Sequence, residues 1–291
     1  MSEEKWAVIT GASHGIGRAM AAEAARRGLN LLLIGLPDTG LPAVADELSR
    51  LYDADSEFWE FDLSDRAAIV DFVEYVHVSR RTVELLVNNA GIGGTAPFAE
   101  QNPERLASMI DVNVGALTVL TRLLLPHLMR QDEAHILNVA SLAGWYPTPG
   151  MSVYAATKAY VISLSLALRD ELESTGVSVS VLCPSGVVTK EEIVQALALQ
   201  GFWGRRTSRY PDQLARYAIH RAYRKRRIMV PGVVNRMLRV AGRLTPLRLL
   251  TKLVGGRISL KPGALGHSHP AAAEAPQRRL HHATIGVPEN V

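Results

Sequence analysis

Three side chains in this 291-residue sequence have the types and the spacing of an acid–base set. Tyr154 stands four residues before Lys158, and Ser141 stands 13 residues before Tyr154. On a helix, positions four apart lie one above the other, so the phenol and the ammonium can address one spot. A free phenol titrates near ~10, too high for proton exchange at neutral pH. An ammonium about 4 Å away stabilises a phenolate by roughly 4 kcal/mol at an effective dielectric of ~20, or about three pKa units. Ser141 adds a hydroxyl that can bond the same substrate oxygen. A helical Tyr and Lys at this spacing are more often a packed phenol and a solvated ammonium. The assignment therefore depends on what the rest of the chain assembles around them.

The elements that must position these groups alternate. Trp6–Thr10 (WAVIT) reads as a buried strand, Thr10–Gly17 (TGASHGIG) as a glycine turn and RAMAAEAARRG, closed by Gly28, as a helix. A second apolar strand follows at Leu29–Ile34, completing one right-handed parallel unit. Gly11 permits the tight turn, Gly15 lets backbone N–H groups approach a pyrophosphate, and Gly17 lets the helix pack closely on the strand. The phosphate would sit at the helix N-terminus.

The pattern then repeats. Helices are expected at Leu41–Leu51, Arg66–Val76, Pro103–Met129 and Val153–Thr175. Strands are expected at Glu57–Phe61, Glu84–Val87, His135–Ala140 and Val177–Cys183, with a short last one at Ile228–Val230. Apolar strands joined by helices predict a parallel sheet covered on both faces, a Rossmann-type doubly wound α/β fold of about seven strands. Ligands in such sheets bind outside the carboxyl ends of the strands. The glycine turn, Asp62, Asn88–Gly91, Ser141 and Pro184–Thr189 all fall there.

Composition narrows the class. With 47% hydrophobic residues the chain can bury a large core. No run of 18 apolar residues and no signal-peptide pattern is present, and Cys183 is the lone cysteine, all of which leads us to expect a cytoplasmic protein. The net charge of +4 hides an asymmetry: residues 1–204 hold 14 Lys+Arg against 25 Asp+Glu, whereas residues 205–261 hold 16 against one, Asp212. That basic segment suggests an anionic partner: a membrane surface, a phosphate-bearing substrate or the protein's own acidic half. Nucleic acid is not expected, since the run RAYRKRR at 221–227 has no recognition motif or aromatic ladder beside it.

With these residues in place the chain resembles the short-chain dehydrogenase/reductase family, in a bacterial subgroup near ketoacyl reductases and hydroxysteroid dehydrogenases. Thr10-Gly11-Ala12-Ser13-His14-Gly15-Ile16-Gly17, Asn88-Asn89-Ala90-Gly91, Asn113, Ser141, Tyr154 and Lys158 carry the resemblance over roughly residues 5–190. The resemblance implies an NAD(P)-dependent oxidoreductase interconverting a carbonyl and a secondary alcohol. Tyr154 is then the general acid/base, Lys158 lowers its pKa and binds the nicotinamide ribose, Ser141 bonds the reacting oxygen, and Asn113 holds a relay water at a helix kink. Cofactor contacts are implied for Gly11, Ser13, His14, Gly15, Ile16, Gly17, Asp62, Leu63, Asn89, Ala90, Gly91, Tyr154, Lys158, Pro184, Val187 and Thr189. A homodimer or homotetramer built on the two long helices is implied as well. A non-catalytic nucleotide-sensing or scaffold protein of this fold is the alternative.

Two departures matter. Ser185 replaces a glycine of the family pattern, which would cost about 1 kcal/mol or more if that backbone needed positive φ. The second strand ends at Leu36 and Pro37, with neither the acid typical of NAD-preferring members nor the arginine common in NADP-preferring ones. Without an acid a 2′-phosphate is not repelled, so NADP(H) is favoured over NAD(H), with Arg18 or His14 as candidate helpers and Asp38 as a ribose contact.

Beyond the core, residues 190–227 are read as a substrate-covering lid on a catalytic domain spanning 1–232, with Phe202, Trp203 and Tyr210 as candidate pocket aromatics. Residues 233–261 read as a basic amphipathic extension, with Arg236, Arg239 and Arg243 on one face. Its stretch 233–257 suits peripheral contact with the inner membrane face. The resemblance to the ketoacyl-reductase and hydroxysteroid-dehydrogenase subgroup implies a bulky lipid-like substrate, which fits an apolar lid and a membrane-facing helix. The tail 262–291 is expected to be disordered, and no metal site is expected from its histidines.

Overall fold

The computed structural model describes residues 4–185, 210–246 and 251. Seven strands, β1 (Lys5–Thr10), β2 (Asn30–Gly35), β3 (Ser56–Glu60), β4 (Thr82–Asn88), β5 (Ala134–Val139), β6 (Val177–Leu182) and β7 (Ile228–Met229), form one sheet in the order β3-β2-β1-β4-β5-β6-β7. Every pair in it is parallel. The strand order reverses direction between β1 and β4, the position at which open α/β sheets leave a crevice for ligands.

Alternation along the strands feeds two apolar layers. Ala7, Ile9, Leu31 and Leu33 pack under α1 (Gly15–Ala25), α2 (Leu41–Tyr52) and α7 (Pro211–Tyr223). Trp6, Val8, Leu32 and Ile34 pack under α3 (Arg66–Val78) and α5 (Leu117–Leu128) on the other face. Both faces are covered, so the strands are apolar almost throughout, as expected for a buried parallel sheet. A register shift opposite Trp6 and Ala7 puts a bulge at Glu84, so Val83 joins the same layer as Leu86.

Local chemistry fixes the helix starts. Asp65 accepts the N–H groups of Ala67 and Ala68 to cap α3, and Asn102 accepts that of Arg105 to cap α4 (Pro103–Ile110), with Pro103 at its first turn. Caps of this kind are worth ~1 kcal/mol each. Between α4 and α5 the expected long helix contains a π-helical stretch, Asp111–Ala116, which carries Asn113. From Pro103 to Leu128 this helix is long and apolar enough to cross a membrane by length and composition. Here, however, Leu120, Leu124 and Leu128 lie buried against the sheet. Helix α6 (Ser152–Glu171) follows β5, and α8 (Val233–Leu244) follows β7 through Gly232 at φ +88.

Candidate active site

The ends of β1 and β4, the two strands at the crevice, are tied together by one buried threonine. Thr10, at the end of β1, donates to the Val87 carbonyl and accepts the N–H groups of Asn89 and Ala90. Asn89 returns the tie, donating its side-chain amide to the carbonyls of Thr10 (2.9 Å) and Gly11 (3.3 Å). The glycine turn is thus locked to the end of β4. Gly11 has φ +66, and a Cβ on Gly17 would collide with the Gly11 carbonyl oxygen, so both positions require glycine.

The turn suits an anion. His14 precedes α1 in extended conformation and makes no side-chain cap, leaving the first-turn N–H groups without a side-chain acceptor. Ser13 turns its hydroxyl to Thr39 at 2.6 Å, so only its backbone faces the turn. Asp62 is exposed and accepts the Ser64 N–H, while the Leu63 side chain is buried in the core, leaving its backbone as the part able to meet a ligand.

The acid–base set converges at the ends of β4 and β5. Tyr154 and Lys158 lie in the first turns of α6, and Ser141 ends the loop from β5. The Ser141 hydroxyl bonds the Tyr154 phenol, lowering its pKa, but burial outweighs this and pushes the phenol up. Lys158 is 5% exposed, and burial pulls its ammonium down to about 8. The sequence placed that ammonium about 4 Å from the phenol oxygen. In the structure Nζ donates to the Val139 carbonyl at 2.9 Å and lies 5.9 Å from the Tyr154 ring centroid. A buried ammonium must find an acceptor, and the end of β5 supplies one. Lys158 also faces Gly91: a Cβ there would lie 3.2 Å from Nζ and 3.0 Å from Asn113 Oδ1. The absence of a Cβ at Gly91 thus lets Lys158 and Asn113 close against the backbone at the end of β4.

Asn113 is a brace. Its Oδ1 accepts the Ile92 N–H at 2.8 Å, and its Nδ2 donates to the Ile92 carbonyl at 2.9 Å and to Thr157 Oγ1 at 3.1 Å. The side chain is thereby spent on holding the loop after Gly91 against α6.

Residue spacing had not pointed to several supports. Arg105 donates to the Gly93 carbonyl, Gln101 to that of Ala96, and the Ala96 N–H to that of Gly150, closing the loop 91–97 onto the loop before α6. Beneath the site a buried chain runs Thr121–Asn88–Asn138–Ser165, linking α5 to α6 through two strands. The buried asparagine on β5 was a signal in HILNVA; its partners were not.

A family model for short chain dehydrogenases matches residues 5–196. The chain belongs to the short-chain dehydrogenase family. It has the Rossmann-type architecture of that family, and the relatives it matches are named dehydrogenases and reductases. Over 189 residues it is 35% identical to a very-long-chain 3-oxoacyl-CoA reductase of Anas platyrhynchos, covering 64% of this chain and 60% of that relative's length. A short-chain dehydrogenase of Sphingobium yanoikuyae in complex with NADPH superposes with a TM-score of 0.70 at 28% identity, covering 91% of this chain and 99% of that one. Another of Burkholderia phymatum, in complex with NAD, gives a TM-score of 0.71 at 28% identity, covering 83% and 92%.

For this short-chain dehydrogenase three sequence expectations need correction. Arg18 is forked onto Glu47 at 2.8 and 2.6 Å, so it is engaged rather than available to a 2′-phosphate. Ser185 carries no positive φ, because among the described residues only Asp38, Asp53, Arg80 and Lys225 do so outside glycine. The strain anticipated from losing a glycine is absent. Tyr210, expected to line a pocket, is 64% exposed ahead of α7. Val187, Thr189, Phe202 and Trp203, and the tail 262–291, lie outside the described residues.

Proposed function

We propose that this dehydrogenase interconverts a ketone and a secondary alcohol with Tyr154 as general acid/base, preferring NADP(H) and an apolar, lipid-like substrate. The observation that carries the proposal is the buried Tyr154 phenol, bonded to Ser141, with the Lys158 ammonium beside Gly91. The nicotinamide, when bound, supplies or accepts the hydride. Tyr154 delivers its phenolic proton to the carbonyl oxygen during reduction and takes it back during oxidation. Ser141 donates a hydrogen bond to the same oxygen and stabilises its developing charge. Lys158, Ala90 and Gly91 hold the ribose side, while the turn from Gly11 through His14, Gly15 and Ile16 to Gly17 holds the pyrophosphate at the start of α1.

The apolar substrate is supported by the wall beside the phenol. Trp145 lies in the short turn Leu142–Trp145, and burial pushes the adjoining Tyr146 phenol up to about 12. The likeness to a 3-oxoacyl-CoA reductase points the same way. The NADP(H) preference rests on the end of β2, where Leu36 is 52% exposed and Thr39 is held by the Leu36 carbonyl and Ser13, so no carboxylate stands at position 36 or 37. Assays with a panel of long-chain ketones and acyl thioesters are expected to show turnover with kcat/KM higher for NADPH than for NADH. Cofactor fluorescence without turnover on any substrate would favour a non-catalytic binder, and a higher kcat/KM for NADH would reverse the cofactor reading.

Two surfaces support further associations. Phe98, Ile110, Val114, Val153 and Ala156 line an open apolar groove of about 600 Å³ over the long helices, suited to a second copy and hence a homodimer or homotetramer. On α8, Val233, Met237 and Val240 are exposed at helical spacing beside exposed Arg236, a face suited to an anionic bilayer at the inner membrane. Light scattering is expected to give a multiple of the 31.7 kDa chain, and flotation with phosphatidylglycerol vesicles to carry the protein in a salt-sensitive way. A monomer, or equal flotation with neutral phosphatidylcholine, would sink the respective reading.

A further inference from the structure

Helix α8 is attached to the body by polar groups. Its Asn235 is 1% exposed, and the side-chain amide donates to Ser185 Oγ at 2.9 Å and to the Pro231 carbonyl at 2.7 Å. One turn later the Arg239 guanidinium lies 4.4 Å from the Trp145 ring centroid, a cation–π contact. The two anchors reach different walls of the site. Ser185 follows β6 and opens the stretch read as meeting the cofactor. Trp145 ends the turn read as the substrate wall.

These walls also touch each other and the acid–base set. The Leu142 N–H donates to the Pro184 carbonyl at 2.8 Å, joining the start of the substrate turn to the residue before Ser185. Gly144 lies against α6 so closely that a Cβ there would come within 2.7 Å of the Lys158 carbonyl carbon. A change in the height of α8 is therefore transmitted to the cofactor side through Ser185 and to the Lys158 backbone through the turn.

We propose that Asn235 is a positioning residue, and that its bond to Ser185 couples the seating of α8 to the cofactor side of the site. Ser185 is then an adaptation of this chain: a hydroxyl takes the place of the family's glycine because a helix arriving after β7 needs a partner there. The inference rests on the reading that the segment opened by Ser185 meets the cofactor. Without the bond Ser185 is no longer held to α8, and NADPH binding must supply that positioning.

The test is a double-mutant cycle read by NADPH fluorescence titration of the full-length protein, with Tm recorded for every variant. Ser185→Ala and Asn235→Ala are each expected to raise the NADPH Kd about five-fold, the loss of one hydrogen bond of ~1 kcal/mol. The double variant is expected to be no weaker than either single, because both remove the same interaction. Ser185→Ala is the milder change and keeps the experiment decisive if Asn235→Ala unfolds. Variants with lowered Tm but wild-type Kd would reduce Asn235 to a structural residue and overturn the proposal, as would multiplying effects in the double variant. Wild-type protein that bound no NADPH would overturn both this inference and the cofactor reading; wild-type binding matched by the variants would overturn the coupling alone.

Discussion

Replacing Tyr154 by phenylalanine is expected to lower kcat by roughly 10²–10⁴-fold while leaving NADPH affinity and Tm close to wild type. The ring stays in place, and the loss is confined to one hydroxyl and its bond to Ser141. Apolar packing is untouched, so the usual source of a large stability change is missing. Single-turnover rates together with cofactor titration separate the two effects. A Tyr154→Phe protein with near-normal turnover would remove Tyr154 from the chemistry.

The second large effect is expected at Lys158, and it combines lost activity with altered pH dependence. Burial pulls the folded-state pKa down to about 8 from 10.5 in the unfolded chain. Between those values the unfolded state binds more protons, so stability rises with pH across that window. Below about 8 the ammonium is charged in both states, and the full burial cost is present, on the order of 3 kcal/mol at ~1.36 kcal/mol per unit. Lys158→Met removes this dependence. Its urea midpoint is expected to lose the rise between pH 8 and 10.5 while its turnover collapses. The orphaned Val139 carbonyl offsets part of the gain at neutral pH. A variant with the wild-type pH slope would show that Lys158 is not the group responsible.

The fold was readable from the chain because its instructions are local. Most strands are short apolar runs, α3 and α4 start at a capping side chain, and the turn at Gly11–Gly17 requires glycine at Gly11 and Gly17. The placement of the candidate acid–base residues was equally legible, since Ser141 follows a strand and Tyr154 and Lys158 share a helix. What the sequence concealed depends on partners far along the chain. The Lys158 ammonium was assigned to the phenol because the two are four residues apart, whereas its acceptor is a backbone carbonyl 19 residues away. Arg18 looked available because its partner Glu47 lies on another helix. Helix α8 was harder still. Its arginines suggested one basic face of an amphipathic helix, yet Asn235 and Arg239 turn inward while Val233, Met237 and Val240 turn outward. The rule that apolar residues mark the buried side fails where the body offers a hydroxyl and an indole as docking points.

The π-helical stretch at Asp111–Ala116 has a consequence for how this site tolerates insertions and deletions. A π turn holds one residue more than the α turn it replaces. Each residue of an α-helix advances the side-chain direction by about 100°. Deleting a single residue there would let the helix run on regularly, and nothing in its own hydrogen bonding would register the loss. The error would appear elsewhere, as a rotation of α4 against α5 that takes Asn113 away from Ile92 and Thr157. The surplus residue acts as a phase setting: it sells helical regularity for an inward-facing amide, and it makes chain length within this stretch as constrained as residue identity.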